Sequence, residues 1–406
     1  LADGYPIGRR LIVADALVPA AYNAAAFETT GSRMPLAIID PARYAAQLDE
    51  KVQRFCADFG AFALPPPQIF SSPPLHYRLR AEFRIWHNGA SFDYVMFDPD
   101  DPRTPIPLTE LPSAAARINE LMPLLRQQLL TAEQLRHRLF TVEFLTTLSG
   151  DVLITLVYHR RLDEHWQHAA LHLQDALDVQ IIGRSRGQKI VLREDYVTEK
   201  LHVGERTLEY RQIEGSFTQP NGRINQCMLS WASLQVEKIG GDLLELYCGN
   251  GNFTLALAPY FNRVLATEIS KSSVHAARHN LVINHIDNVV LVRMSSAEIA
   301  SALAQERAFN RLRDIPLQDY CFTTLLVDPP RAGLDAVTLQ LAQRFDHILY
   351  ISCNPVTLRD NIAALNGSHT IAALALFDQF PYTHHLECGL LLQRCVNPDI
   401  ELETVI

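Results

Sequence analysis

The sequence predicts a doubly wound α/β domain at its C-terminal end, preceded by a mixed α+β domain. Three observations carry this. From about Asn225 short apolar runs alternate with amphipathic stretches, the pattern of βαβ repetition and a parallel sheet. Two runs, TLLV and ILYIS, end abruptly in Asp328-Pro329-Pro330-Arg331 and Cys353-Asn354-Pro355, as strands covered on both faces do. Before Asn225 the strands come as alternating runs joined by turn residues instead, which is hairpin patterning.

Taken in order, residues 1–33 are Ala-rich with little periodicity. They read as a flexible extension, with Met34 a plausible start and a signal peptide as the rival reading, disfavoured by Asp15 and Pro19. Residues 34–225 form the expected N-terminal domain. Within it, ARYAAQLDEKVQRFCADFG has helical spacing up to Gly60, and 65–74 reads as a proline-rich linker. HYRLRAEFRIWH and SFDYVMFD then flank Asn88-Gly89 as a hairpin. Residues 112–138 suit one or two helices, 139–159 a second hairpin, 163–177 a helix, and 179–192 a strand pair with a basic turn.

By period two, Arg78, Arg80, Glu82 and Arg84 share one strand face. Such a face either grips phosphates or is a solvated, salt-bridged surface. Phe140, beside Arg136, His137 and Arg138, either stacks on a base or belongs to the core.

Residues 226–406 form the second domain, led by a helix over 226–239. Strand DLLEL runs into Tyr247-Cys248-Gly249-Asn250-Gly251-Asn252, and RVLATE ends in Glu268. Glycines after a first strand and an acid ending the second suit a nucleoside: the backbone can approach the ligand and the acid can accept from ribose hydroxyls. The same geometry serves dinucleotides and S-adenosylmethionine alike; the loop lacks the third glycine of the dinucleotide fingerprint, which weakens the pyrophosphate reading and leaves nucleoside binding.

Hydrophobic content of 48% and charged content of 20% are ordinary for a globular protein. No apolar run approaches a membrane span. Seven scattered cysteines without a C-x-x-C pair argue against a disulfide framework or metal site and for a reducing, cytoplasmic setting. The net charge of -9 lowers the expectation of a nucleic-acid partner, although a local basic patch suffices for one.

LLELYCGNGNF, LLVDPPRAGLD, LYISCNP, FDQFPYTHHLECG, SFTQPN and HYRLRAEFRIWH together resemble the tRNA (uracil-5-)-methyltransferase family, whose members make ribothymidine in the T-loop, at about position 54 of tRNA. The resemblance runs from about Met34 to Gln393. It implies a Rossmann-like class I S-adenosylmethionine-dependent methyltransferase domain behind an RNA-binding domain. It implies Cys353 as nucleophile toward carbon 6 of uracil and Glu387 as the base that removes the proton from carbon 5. Gln219, Tyr247, Gly249, Gly251, Asn252, Glu268 and Asp328 would bind S-adenosylmethionine, and Arg84, Phe140 and Arg331 would contact RNA.

The expected partner is the T-arm of tRNA, with T-loop-like folds in other RNAs left open; neither a metal nor a membrane is expected. Nearby dipoles and cations are expected to lower the Cys353 pKa. Taken without the resemblance, Glu387 reads as a solvated loop acid. Related ribosomal RNA enzymes often carry a small N-terminal barrel and a four-cysteine cluster, and this chain shows neither pattern. The alternatives are a ribosomal RNA uridine-5 methyltransferase and, in another class, a non-catalytic tRNA-binding or folding protein.

Overall fold

The computed structural model describes residues 39–98 and 101–395; the expected extension at 1–33 and the last eleven residues of the second domain lie outside them. Helix α1 (Tyr44–Asp58) and the short strand β1 (Gln68–Phe70) come first. Strands β2 (Arg80–Asn88), β3 (Ser91–Asp98) and β4 (Asp101–Leu108) form a meander, followed by α2 (Ala116–Thr131) and α3 (Glu133–Arg136). Then come β5 (Leu139–Thr146), β6 (Val152–Tyr158), α4 (Glu164–Leu177), β7 (Gln180–Ser185) and β8 (Gln188–Val191). Strands β2 to β8 make one seven-stranded sheet in the order β4-β3-β2-β5-β6-β7-β8.

Its two faces differ. Phe83, Ile85, Val142 and Phe144 pack with Ile118, Leu125 and Trp166 of the helices into one core. At one end of the other face Leu145, Leu153 and Ile182 meet Val197 of the hairpin β9 (Tyr196–Val203) and β10 (Arg206–Ile213). Elsewhere on that face Glu82, Arg84 and Trp86 are exposed.

The chain continues through α5 (Gly222–Val236), β11 (Asp242–Leu246), α6 (Asn252–Leu257), β12 (Arg263–Thr267), α7 (Lys271–Ile283), β13 (Val289–Val292) and α8 (Ser296–Leu303). It ends with β14 (Phe322–Val327), α9 (Ala336–Ala342), β15 (His347–Ser352), α10 (Pro355–Leu365), β16 (His369–Phe377) and β17 (Glu387–Arg394). An eight-stranded sheet results, in the order β1-β16-β17-β15-β14-β11-β12-β13, with β17 alone antiparallel to its neighbours. Leu244, Leu246, Leu325 and Tyr350 face one core, and Leu243, Leu326, Leu349 and Ile351 the other. That two-sided burial is why these runs read as continuous apolar stretches rather than alternating ones.

Two expectations need correction. Residues 41–70 do not belong to the N-terminal sheet. Phe55 of α1 and Phe59 at its C-terminal cap, stacked at 4.2 Å, are buried in the core of the eight-stranded sheet, and β1 pairs in parallel with β16. The "linker" thus contains an edge strand, tolerated because its prolines flank the three paired residues. Burying two phenylalanines is worth several kcal/mol at about 2–3 kcal/mol each; Phe59→Ala would detach the helix first. The leading helix also starts earlier than its periodicity suggested, because the Asn221 side chain accepts from Ile224 N and caps it.

Candidate active site

Parallel strands β11, β12, β14 and β15 end together, and the register decides what meets there. Leu246 pairs with Thr267 and with Val327, and Val327 with Tyr350. Tyr247, Glu268, Asp328 and Cys353 therefore emerge along one edge. Ser352 pairs with Cys388 across the antiparallel ladder, so one step further Cys353 stands beside Glu387, the first residue of β17. Glu387 is 5% exposed. It is a buried strand-end acid and not the solvated loop acid it resembles when read alone.

Burial and the neighbouring Asp328 push the Glu387 carboxyl up to about 8, with Arg331 pulling it down. Burial lifts Asp328 to about 7. The Cys353 thiol is pushed up to about 11, first by burial and then by Glu387 and Asp328, against Arg331. The expected lowering is thus reversed: Asn354 does cap α10 just beyond the thiol, but one cation and a helix start do not offset desolvation beside two acids.

The cofactor candidates lie further along the same edge. Gly249 has φ 56 and nothing within 4 Å of where a Cβ would stand, leaving open space over the backbone. Tyr247 also has positive φ, at 61, and its hydroxyl donates to Ser296 Oγ at 2.8 Å. Glu268 accepts from Gly249 N at 3.0 Å and from Ser270 N at 2.7 Å, fastening the loop to the second strand. Gly251 caps α6, where a Cβ would stand 2.8 Å from Leu255. Gln219 Oε1 accepts from Gln379 Nε2 at 2.6 Å, and the buried Gln379 Oε1 has no partner. An open glycine turn, an anchored acid and an orphaned amide oxygen fit a nucleoside-bearing cofactor such as S-adenosylmethionine.

Several residues here escaped the sequence reading. Asn225 exchanges reciprocal amide hydrogen bonds of 2.9 Å with the expected Asn252. Ile269, 64% exposed beside Glu268, offers an apolar wall. Lys51 of α1 donates to Asp378 at 2.6 Å and to the Phe380 carbonyl at 2.8 Å, while Gln47 donates to Asp378 and accepts from Tyr382 N. This buried latch holds the 378–385 loop that leads into Glu387. His385 Nε2 lies 3.2 Å from Arg331 Nη2; a guanidinium only donates, so that imidazole is a neutral acceptor. Low propensity of any single local pattern hides such long-range pairs.

Arg84 and Phe140 are not at this edge. They lie on the open face of the seven-stranded sheet, with the Arg84 guanidinium 3.6 Å from the Phe140 centroid and His159 stacked at 3.8 Å. Leu139 pairs with Tyr158 and Thr141 with Val157, so Phe140 is the extra residue of a β-bulge, which re-aims its side chain. Arg78 and Arg80 turn away to backbone carbonyls of Arg80 and Ser216, leaving Arg84 as the exposed guanidinium of that row. Among the described residues no cluster of metal-ligating side chains occurs and no helix is long and apolar enough to cross a membrane.

The fold and this edge define an S-adenosylmethionine-dependent methyltransferase. The model of the family described as tRNA (Uracil-5-)-methyltransferase matches residues 43–395. A tRNA/tmRNA (uracil-C(5))-methyltransferase of Aromatoleum aromaticum is 60% identical over 365 residues, covering 90% of this chain and 99% of that protein. One of the same description from Azoarcus sp. is 60% identical over 361 residues, covering 89% and 99%. The crystal structure of Pyrococcus abyssi tRNA (uracil-54, C5)-methyltransferase with S-adenosyl-L-homocysteine shares the fold, with a TM-score of 0.66 at 18% identity, covering 86% of this chain and 83% of that one. The chain belongs to the tRNA (uracil-5-)-methyltransferase family.

Proposed function

We propose that the protein methylates carbon 5 of the T-loop uridine of tRNA through a covalent adduct on Cys353. The observation that carries this is the placement of a thiol and a buried carboxyl on adjacent strand ends, one register step beyond Ser352 and Cys388. Carbon 5 of uracil is a poor nucleophile. The Cys353 sulfur loses its proton to solvent water and bonds to carbon 6, and the ring electrons move toward the carbonyl oxygen at position 4. Addition thus turns carbon 5 into an enolate carbon. Arg331, whose charge acts on both Cys353 and Glu387, favours the thiolate and the charge pushed onto the ring.

S-adenosylmethionine, when bound, supplies the methyl group. Gln219, Tyr247, Gly249, Gly251, Asn252, Glu268 and Asp328 are the residues that would hold it. Glu387 then takes the proton left on carbon 5, the sulfur–carbon 6 bond breaks, and the thiol regains a proton. A carboxyl held near 8 is a stronger base than an ordinary carboxylate and is matched to this step near neutral pH. The uridine must leave its stack to reach the half-buried thiol, so the base is flipped into the edge, with Arg84, seated over Phe140, contacting the arm from the N-terminal sheet.

Relatives named for both tRNA and tmRNA support a tmRNA T-loop as a second substrate of the same kind. The test is transfer of labelled methyl to unmodified tRNA, tmRNA and ribosomal RNA transcripts, with the labelled nucleotide mapped. Label on the T-loop uridine of tRNA is expected. Label confined to ribosomal RNA would keep the chemistry and overturn the substrate; RNA binding without label would favour the binding-protein reading.

A further inference from the structure

We infer that Trp86 is the free stacking side chain of the N-terminal sheet, receiving an unpaired nucleotide of the tRNA substrate next to Arg84. The inference rests on the reading above, in which this sheet face meets RNA. The Arg84 guanidinium and the His159 imidazole each lie within 4 Å of the Phe140 centroid. Two groups that close to one centroid cannot share a face, so both faces of Phe140 are occupied within the protein. Phe140 is then a pillar that orients Arg84 and His159 rather than a platform with a free side.

Trp86 differs. It follows Arg84 by two residues on β2 and shares its face. It is 43% exposed, and its aromatic neighbour Phe97 meets it edge-on, with centroids 6.4 Å apart. An exposed indole beside a guanidinium is the combination that single-stranded nucleic acid stacks on.

The charges around it favour the same end of the strand. Glu82 stands directly opposite Glu143, an unpaired acidic couple that repels phosphate at the near end. At the far end Arg84 has no carboxylate partner among the described residues, and Asp93, opposite Trp86, is neutralised by Arg126 at 3.1 Å. Glu214, deeper on the face, is held by Arg184 and Lys189. A polyanion crossing this surface is therefore steered over Arg84 toward Trp86 and away from Glu82.

The chain offers a direct readout, because it has three tryptophans and the other two, Trp166 and Trp231, are buried. Iodide quenching of tryptophan fluorescence is measured on the full chain, alone and with unmodified tRNA transcript, without methyl donor. The free protein should show one iodide-accessible component, absent in Trp86→Phe and lost in wild type on adding tRNA. Trp86→Ala should raise the tRNA Kd between about five- and a hundredfold, the range that base–aromatic stacking carries. Its effect should fall on KM for tRNA rather than on kcat, and Trp86→Phe should recover most of it. Normal methylation and binding with the iodide-accessible component unchanged by tRNA, or Trp86→Ala binding as tightly as wild type, overturns the assignment while leaving the proposed function intact. Wild-type protein that does not bind tRNA at all overturns both.

Discussion

At the edge of the eight-stranded sheet Asp328, Glu387 and Cys353 are desolvated and held toward their protonated forms, whereas on the seven-stranded sheet Glu82, Arg84 and Trp86 stand in water. The first region gathers like-charging groups where partial burial limits screening by water. Their protons are then exchanged among few partners, as acid–base work on a bound base requires. The second spreads its charges over an open face, where each contributes little alone and the sum guides a polyanion. Substitutions should accordingly act sharply at the edge and gradually on the face.

The largest effect should come from Cys353→Ala. Methylation should fall to below about one ten-thousandth of wild type, the scale of losing a covalent nucleophile, with tRNA affinity kept in a filter-binding assay. Residual turnover within a factor of ten would mean that the edge works without the thiol.

Glu387→Gln should slow turnover by a factor of about 10²–10⁴ and leave protein–RNA adduct visible on denaturing gels. It should also change stability with a defined sign. Below its ordinary value of 4.5 the carboxyl is protonated in both states; from there to about 8 the unfolded chain sheds a proton that the folded protein keeps. Wild-type stability therefore falls as pH rises through that window. The variant should be the more stable at pH 8 by a few kcal/mol at most, with the gap closing near pH 4 in denaturant titrations.

Lys51→Met strips the partner from a buried Asp378, whose side chain is 0% exposed. It should cost about 3–5 kcal/mol in chemical denaturation and lower kcat through the loop that carries Glu387. Lys51→Met with Asp378→Asn should recover part of the stability. Full stability in the single variant would show that the latch is not what holds α1 to the edge.

Arg84→Ala should do least, weakening tRNA binding about evenly across sequences and reducing the salt slope by about one. An unchanged slope would separate Arg84 from RNA and sharpen the contrast by removing charge from the open face.

The same two regions differ in how far they can be read without coordinates. At the edge the strand ends fall where apolar runs stop, so Tyr247, Glu268, Asp328 and Cys353 are legible from the order of elements alone. Glu387 is not, because an acid opening an antiparallel strand has no local signature, and its burial comes from β16 and β15 on either side. On the N-terminal sheet the hairpins are legible from Asn88-Gly89 and Ser149-Gly150. The bulge at Phe140 and the stack it supports are not, since they depend on where β5 slips against β6. The place of α1 is hidden for a like reason: Lys51 and Asp378 are 327 residues apart, and amphipathic spacing says only that a face is covered, not by what.

The central claim is that Cys353 bonds to the target uracil. Its most direct test is incubation of the protein and S-adenosylmethionine with a T-loop RNA carrying 5-fluorouridine at the target position, whose fluorine leaves Glu387 no proton to remove. Mass spectrometry of the digested complex should find the methylated fluorouracil nucleotide on the peptide containing Cys353. An adduct on another cysteine, or methylation of ordinary uridine RNA with no adduct on any residue, would contradict the account.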